Sequence, residues 1–443
     1  MPRPLAIALI ALSLSAPSHA DDWPQWMGPG RDNVWHETGI IEKFSPTGAN
    51  FVWRASIGAG YSSPTVAGGK VFVLDRFMRQ GATRPSDPFQ RLSIPGVERI
   101  VCLNEADGKT IWAQEYPADY TMSYNAGPRS APAVDGNRVY TFGAEGDLQC
   151  RDIADGKLIW QQKLGGEHTP MWGFSASPLI DGDKVITLGA DPAGVALAFD
   201  KSTGKQIWQA LPAKEPGYSS PIIIEAGGAR QLIIWHPQSL NSLDPVTGKV
   251  YWSEPFESKQ GMSLATPRKA GELLFITAFY NGAMMMRLDS TKPAAKQIWK
   301  IGGKSERITA ALHAVMCTPV IRDDFIYGVC SYGQLRGLRA LTGERVWETL
   351  AATTPDAGET RWANAFIVSN GDRYFLFNER GDLIIANLTP SGYQEISRAH
   401  LIEPTNTDPG RPVVWSQPAF ANRCVFVRND REIVCVSLDG RSP

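Results

Sequence analysis

Tryptophan recurs along this chain at an interval too regular for one ordinary core. Trp112, Trp160, Trp208, Trp252, Trp299 and Trp347 are separated by 48, 48, 44, 47 and 48 residues. A period in the forties is one supersecondary unit written many times, and it governs how every local motif is read. Most of these tryptophans close similar words: "DIADGKLIW", "DKSTGKQIW", "DPVTGKVYW" and "RALTGERVW".

Between the tryptophans the units share a grammar. A Ser/Ala-x-Pro strand ("YSSPTV", "RSAPAV", "SASPLI") is followed by a tight Asp-Gly or Gly-Gly turn. A β-branched strand, a loop, a third strand, the TGK-type turn and a strand ending on Trp complete the unit. Four hairpin-connected strands per repeat predict a β-propeller blade. Asp152 and Asp200 suit the turn because a carboxylate accepts bonds from the turn's own backbone, and Gly204 supplies a positive φ. The tryptophans, with Trp53 in the same closing position, are expected to dock on the neighbouring blade, each N–H near the next turn's carbonyls.

The pattern predicts an all-β, eight-bladed propeller over 51–443. Its blades start near Tyr61, Arg129, Phe174, Tyr218, Met262, His313, Trp362 and Trp415. The last runs out after three strands, so the strand from Phe51 is expected to complete it and close the ring. In the seventh blade Ile396 stands where Trp is expected.

The turn word resembles the tryptophan-docking motif of the quinoprotein alcohol dehydrogenases, A-x-D-x-x-x-G-x-x-x-W, which Ala198, Asp200, Gly204 and Trp208 match. Asn104 and Arg339 replace the Asp in two blades. "DWPQWMGPGRDNVW" at Asp22–Trp35 resembles the leader of secreted PQQ-like propellers, with Met27 in place of the usual Arg. The outer-membrane-assembly lipoprotein propeller is a more distant likeness. The resemblance implies the propeller fold, and pyrroloquinoline quinone (PQQ) with Ca²⁺ as a cofactor if the chain is a dehydrogenase. Function lives in sites rather than folds.

Residues 1–20 have the form of a signal peptide: Arg3, a short apolar run from Leu5 to Leu14, and a Ser18-His19-Ala20 cleavage site. Residues 21–50 form a leader segment. No cysteine follows the apolar run, so a soluble, exported protein, periplasmic or secreted and monomeric, is expected. A formal net charge of −1 gives no electrostatic footprint for nucleic acid. The six cysteines form no CxxC. Cys102, Cys150 and Cys435 fall at a small buried repeat position, while the pairs Cys424/Cys435 and Cys317/Cys330 flank hairpins that an oxidising compartment could bridge.

In such a ring the tight turns share one face, and the long segments share the other: 76–98, 301–312, 351–361 and 403–413. Binding residues concentrate on long loops held by a rigid frame. The candidates there are Tyr61, Arg76, Tyr124, Arg129, Trp172, Tyr218, His236, His313, Arg361, Trp362 and Trp415. Arg129 suits either a quinone or carboxylate oxygen or a clasp between blades. No catalytic residue and no metal ligand set is expected: there is no adjacent Cys-Cys pair, haem segment, HExxH, P-loop or EF-hand loop. The sequence therefore suggests a non-catalytic scaffold, without cofactor, that binds a protein, glycan or small ligand on its loop-rich face. The alternative is a PQQ-dependent dehydrogenase with a reduced site.

Overall fold

A computed structural model describes residues 21–408 and 410–441; the predicted signal peptide lies outside them. The strands form eight four-stranded antiparallel sheets and one two-stranded ladder. These sheets are the blades. Their inner strands are Thr65–Ala67, Ala133–Asp135, Leu179–Asp181, Ile222–Ala226, Arg268–Ala270, Val320–Arg322, Ala365–Asn370 and Ala419–Ala421. Seven blades are continuous in sequence. The eighth takes its outer strand from Asn50–Ser56, hydrogen-bonded to Glu432–Ser437, so the two ends of the chain close the ring as expected.

Burial explains why these segments are strands. The second strand of blade one is buried from Val71 to Asp75 because blades cover both its faces, whereas the outer strand Leu158–Lys163 alternates, with Trp160 inward. The core lies between blades. One apolar cluster joins Leu179, Ile186 and Trp208 of blade three to Leu232, Ile234 and Leu243 of blade four.

The repeated tryptophan makes these seams. Trp53, Trp112, Trp160, Trp208, Trp299 and Trp347 donate their indole N–H to a carbonyl of the next blade's turn, at Glu105, Ile153, Lys201, Pro245, Ala340 and Thr389. The turn's glycine has a second duty beyond its positive φ. A Cβ on Gly204 (φ +73) would lie 2.6 Å from the Trp160 ring, and one on Gly156 2.6 Å from Trp112. The indole therefore lies on bare backbone. Asp200 shapes the turn, accepting from Ser202 N–H, Thr203 N–H and the Thr203 hydroxyl, and Asp152 accepts from Ala154 N–H.

Several expectations need correction. Trp252 turns its N–H to Gln231 Oε1 of its own blade, because the turn it faces, 289–294, has no glycine to lie on. The closing position of blade seven is Ser397, not Ile396. Each outer strand has a one-residue bulge just before the closing residue, and Ile396 is that bulge: Ile385 pairs with Ser397 and Ala386 with Glu395. The Ser397 hydroxyl accepts from the backbone N–H of Phe44, a buried leader residue. Arg76 and Glu98 are paired across the blade-one ladder, so the irregular loop there is 79–95. The six cysteines are free thiols in this structure, with the Cys435 thiol in hydrogen-bonding contact with Cys424.

The leader is built into the ring. It crosses the inner-strand ends on the face of the tight turns. Trp23 pairs with Val66 of blade one, and Val134 N–H of blade two reaches Pro24 O. Arg31 donates to Ser177 O and Pro178 O of blade three, the Trp26 indole donates to Thr266 Oγ1 of blade five, and Trp35 N–H reaches Ser369 O of blade seven.

The glycine argument predicts a graded effect. Gly204→Ala combines a left-handed Cβ with a clash on Trp160 and should cost about 2–5 kcal/mol. Gly182→Ala, at φ +59 with nothing within 4 Å, should cost about 1–2 kcal/mol. Chemical denaturation of both variants checks the order, and equal losses would remove the ring contact from the account.

Candidate functional site

Six inner strands follow the word x-Ser/Ala-x-Pro, blade six has Cys317 in its second position and blade seven Ala365 in its fourth, and the word's first position builds the site. Tyr61, Arg129, Ser175, Tyr218, Leu264, Met316, Trp362 and Trp415 occupy that position in blades one to eight, and all eight line one axial cavity of about 190 Å³. Trp172, Tyr124, Met262 and Val315 add to the wall, and Trp26 of the leader projects into it from the turn side. With the leader crossing one end, the axial channel is a pocket open toward the loop-rich face.

Beneath this layer, hydroxyls stitch the short inner strands together where no ladder can form. The backbone N–H of Ala131 donates to Ser177 Oγ, Ser177 N–H to Ser220 Oγ, and Thr266 N–H to Thr318 Oγ1, each in the next blade. The hydroxyls of Ser62, Ser219 and Ser416 donate to carbonyls of the next blade in the same way. This is why the repeat writes small hydroxyl residues before its proline: bulkier side chains would hold the strands too far apart for the bonds.

Of the residues expected on this face, Tyr61, Tyr124, Arg129, Trp172, Tyr218, Trp362 and Trp415 are brought together around the cavity. Arg361 sits behind the wall: its guanidinium lies over the Trp362 ring at 4.4 Å and pairs with Glu306. Arg76, His236 and His313 are elsewhere. Arg76 is buried in the blade-one ladder, stacked 4.0 Å from the Tyr120 ring and bonded to Ile94 O and Ala118 O. His236 is buried against Ser239, and His313 against the carbonyl of Phe279. Ser175, Leu264 and Met316 were missed because large polar or aromatic residues were sought. The signal that finds them is the register, three residues before Pro178, Pro267 and Pro319. The starts taken at Phe174, Met262 and His313 are out of register with it.

The pocket is weakly polar. Arg129 holds the carbonyls of Gly127, Ser123 and Tyr124 and lies over Tyr61 at 5.1 Å, the clasp of its two sequence readings, though within a single loop. Burial pushes the Tyr61 phenol up to about 12 and raises that of Tyr218, so both stay neutral. No carboxylate lines the cavity, and no group of three or more His, Cys, Asp or Glu side chains is placed to hold a metal ion among the described residues. PQQ with Ca²⁺ needs acidic oxygens for the ion and free cationic donors for its carboxylates. The wall has neither, so this donor set does not fit that cofactor.

The rim is apolar. The loop 79–95 carries Phe89 to the mouth, edge-on to Tyr124 at 5.2 Å and near Trp362. Phe89 is 43% exposed, Met171 44% and Ile308 62%. A hairpin, Asn406–Asp408 with Arg411–Val413, is fixed beside the mouth by the ion pair of Arg411 with the buried Glu379, which also accepts from the Trp415 indole. Among the described residues no helix is long and apolar enough to cross a membrane.

The two buried histidines set a pH dependence. Burial lowers each from 6.5 to about 4. Below pH 6.5 the unfolded chain binds protons that the folded chain refuses, so this stability is present above 6.5 and is lost as pH falls toward 4. The slope is about 1.4 kcal/mol per pH unit for each histidine. Denaturation between pH 7 and 4.5 should show a shallower slope in His236→Gln/His313→Gln than in the parent; identical slopes would assign the effect elsewhere.

Comparison with known proteins agrees with this geometry. The sequence family described as outer membrane protein assembly factor BamB matches residues 96–310 and 292–442. The outer membrane protein assembly factor BamB of Yersinia pestis is 25% identical, over 50% of this chain and 65% of its own length, so the match leaves about a third of that relative uncovered. BamB from Moraxella catarrhalis superposes with a TM-score of 0.56 at 16% identity, over 88% of this chain and 98% of that one. Quinohemoprotein alcohol dehydrogenase from Comamonas testosteroni superposes with a TM-score of 0.63 at 12% identity, over 95% and 81%. At these identities the two structures speak to the fold alone, and both fit the quinoprotein-type resemblance read from the turn motif.

Proposed function

This chain belongs to the family of outer membrane protein assembly factor BamB, and from that premise we propose that it is an exported, non-catalytic propeller that docks a protein partner on its loop-rich face. The observation that carries the reading is a set of exposed apolar side chains on the loops of this face. Phe89 and Leu92 of the loop 79–95, Met171 beside the pocket residue Trp172, and Ile308 stand 43%, 50%, 44% and 62% exposed. Large exposed apolar groups on one face support a protein-binding surface. The name carried by the family supports a partner in the assembly of outer-membrane proteins. The N-terminal segment at 1–20 supports delivery to the periplasm. The dehydrogenase alternative has no support in the pocket wall, whose donors do not suit PQQ and Ca²⁺.

The test is crosslinking in cells that make the protein. A photoreactive residue at Met171 or Ile308 should capture a defined envelope protein, and the triple variant Phe89→Asp/Met171→Asp/Ile308→Asp should lose at least about tenfold of that capture, the scale for removing apolar anchors from an interface. Its melting temperature should stay near the parent's. Replacing Lys157, Lys205 and Lys249 on the tight-turn face should leave capture unchanged. Loss of capture only in the lysine variant would mean that the opposite face docks.

A further inference from the structure

We propose that the axial pocket is a binding site for a single phenolic ring, with its hydroxyl directed to Ser63 and Gln417. The inference rests on the docking reading for its biological setting, because the pocket opens at the centre of the face proposed to dock. Its chemistry rests on the pocket alone.

Three buried polar atoms of the lining lack a partner, Ser63 Oγ, Gln417 Oε1 and Trp362 Nε1, and the first two, in the layer beneath Trp362, point to a ligand. Ser63 and Gln417 occupy equivalent positions in blades one and eight, which are neighbours in the ring, and both line the cavity. They are 3% and 2% exposed. Neither Ser63 Oγ nor Gln417 Oε1 has a hydrogen-bond partner. Elsewhere in the ring the equivalent hydroxyls of Ser177, Ser220 and Thr318 each accept a backbone N–H from the preceding blade. Blade eight presents Gln417 instead, whose Nε2 is committed to Asn33 Oδ1 of the leader. Its Oε1 can therefore only accept, while the Ser63 hydroxyl remains able to donate. Buried polar atoms without partners are rare in folded proteins and mark a missing group.

The rest of the wall selects what carries that group. It is mostly aromatic and aliphatic, with Trp26, Tyr218, Leu264, Met316 and Trp415 around the axis. The cavity, about 190 Å³, is somewhat larger than the roughly 150 Å³ apolar cavity that accepts benzene. One substituted ring therefore fits. A sugar would bring many hydroxyls to a wall with few partners for them, and each unmet one opposes binding. A carboxylate finds Arg129 already holding three backbone carbonyls. Of phenol, indole and toluene, phenol alone can donate to Gln417 Oε1 and accept from Ser63 Oγ through one atom. An indole can do only the first and toluene neither.

The source is either a free phenol or a tyrosine side chain of the docked partner, and the chemistry is the same. The experiment titrates the mature protein with phenol, indole and toluene, reading tryptophan fluorescence and melting temperature. Phenol should bind most tightly, indole less and toluene least. Ser63→Ala should weaken phenol by up to about tenfold, the scale of one hydrogen bond, and leave toluene unchanged. Leu264→Trp or Met316→Trp, which fill the cavity, should abolish phenol binding while retaining a cooperative melt; two variants guard against one failing to fold. N-acetyl-tyrosinamide binding more tightly than phenol identifies a partner's tyrosine as the source, and its exclusion identifies a free phenol. Toluene binding as well as phenol, no binding of any ring, or undiminished phenol binding in both folded filled variants would overturn the proposal. Phenol binding lost with crosslinking retained counts against the pocket alone; crosslinking lost with phenol binding retained counts against the docking reading alone.

Discussion

An indole laid on the bare backbone of a glycine is the contact on which the rest of this ring depends. Burying a tryptophan removes about 150–250 Å² from water, worth about 4–6 kcal/mol at 25 cal/mol per Å². Its N–H bond to the neighbouring carbonyl adds about 1 kcal/mol. The apolar term holds the blades together, and the hydrogen bond fixes where the ring sits on the turn. The carbonyl chosen by Trp160 and Trp208 is the one just after the turn's Asp, at Lys201 and Pro245, so the indole meets the same point of the neighbouring turn in both seams. Trp53 repeats the contact on blade one from a strand paired with the C-terminal strands. Ring closure is therefore the same interaction as the seams made by Trp112, Trp160 and Trp208, supplied by the N-terminal strand.

The seams are not equal. Trp53, Trp112, Trp160 and Trp208 are each 8% exposed and Trp299 9%. Trp252 and Trp347 are more exposed. Trp252 faces a turn without glycine, and no part of the chain lies within 4 Å of a Cβ built on Gly392, in the turn that Trp347 meets. These two looser seams lie on either side of blades five and six, whose loop-face residues form a charged cluster: Glu306 with Arg361 and Tyr332, and Arg307 with Glu359. These ion pairs tie the connection before blade six to the connection before blade seven, beside the Trp347 seam, although exposed pairs of this kind contribute only a fraction of a kcal/mol each.

Nearly all of the fold was legible because a period is a global signal: it depends on no single residue, and one worn copy cannot hide it. The errors were local. A one-residue bulge moved the closing position of blade seven from Ile396 to Ser397, and nothing in the composition of "YQEISRAH" shows where a strand bulges. For the site, Tyr61, Arg129, Tyr218, Trp362 and Trp415 were found by size and polarity, while Ser175, Leu264 and Met316 needed register. Arg76, His236 and His313 misled because a charged or titratable side chain near a strand end reads as a surface group. Here Arg76 is drawn inside, its Nη2 bonded to carbonyls and its guanidinium on an aromatic face, and the histidines are buried neutral.

The leader had no strand pattern to read, yet it decides what kind of site the ring can be. A propeller without it has a channel along its axis, and such a channel offers no floor against which a ligand can be held. Residues 22–44 cross the tight-turn side with contacts to blades one, two, three, five, seven and eight, and they place Trp26 in the cavity and Asn33 on Gln417. The second contact matters as much as the first. By holding Gln417 Nε2, the leader leaves the amide oxygen as the free end of that side chain, so a segment on one face of the ring sets the hydrogen-bonding character of a pocket that opens on the other. The leader also covers part of the tight-turn face, and the long loops rise only on the opposite side. Closure and access therefore make the loop-rich mouth the side from which the pocket is reached.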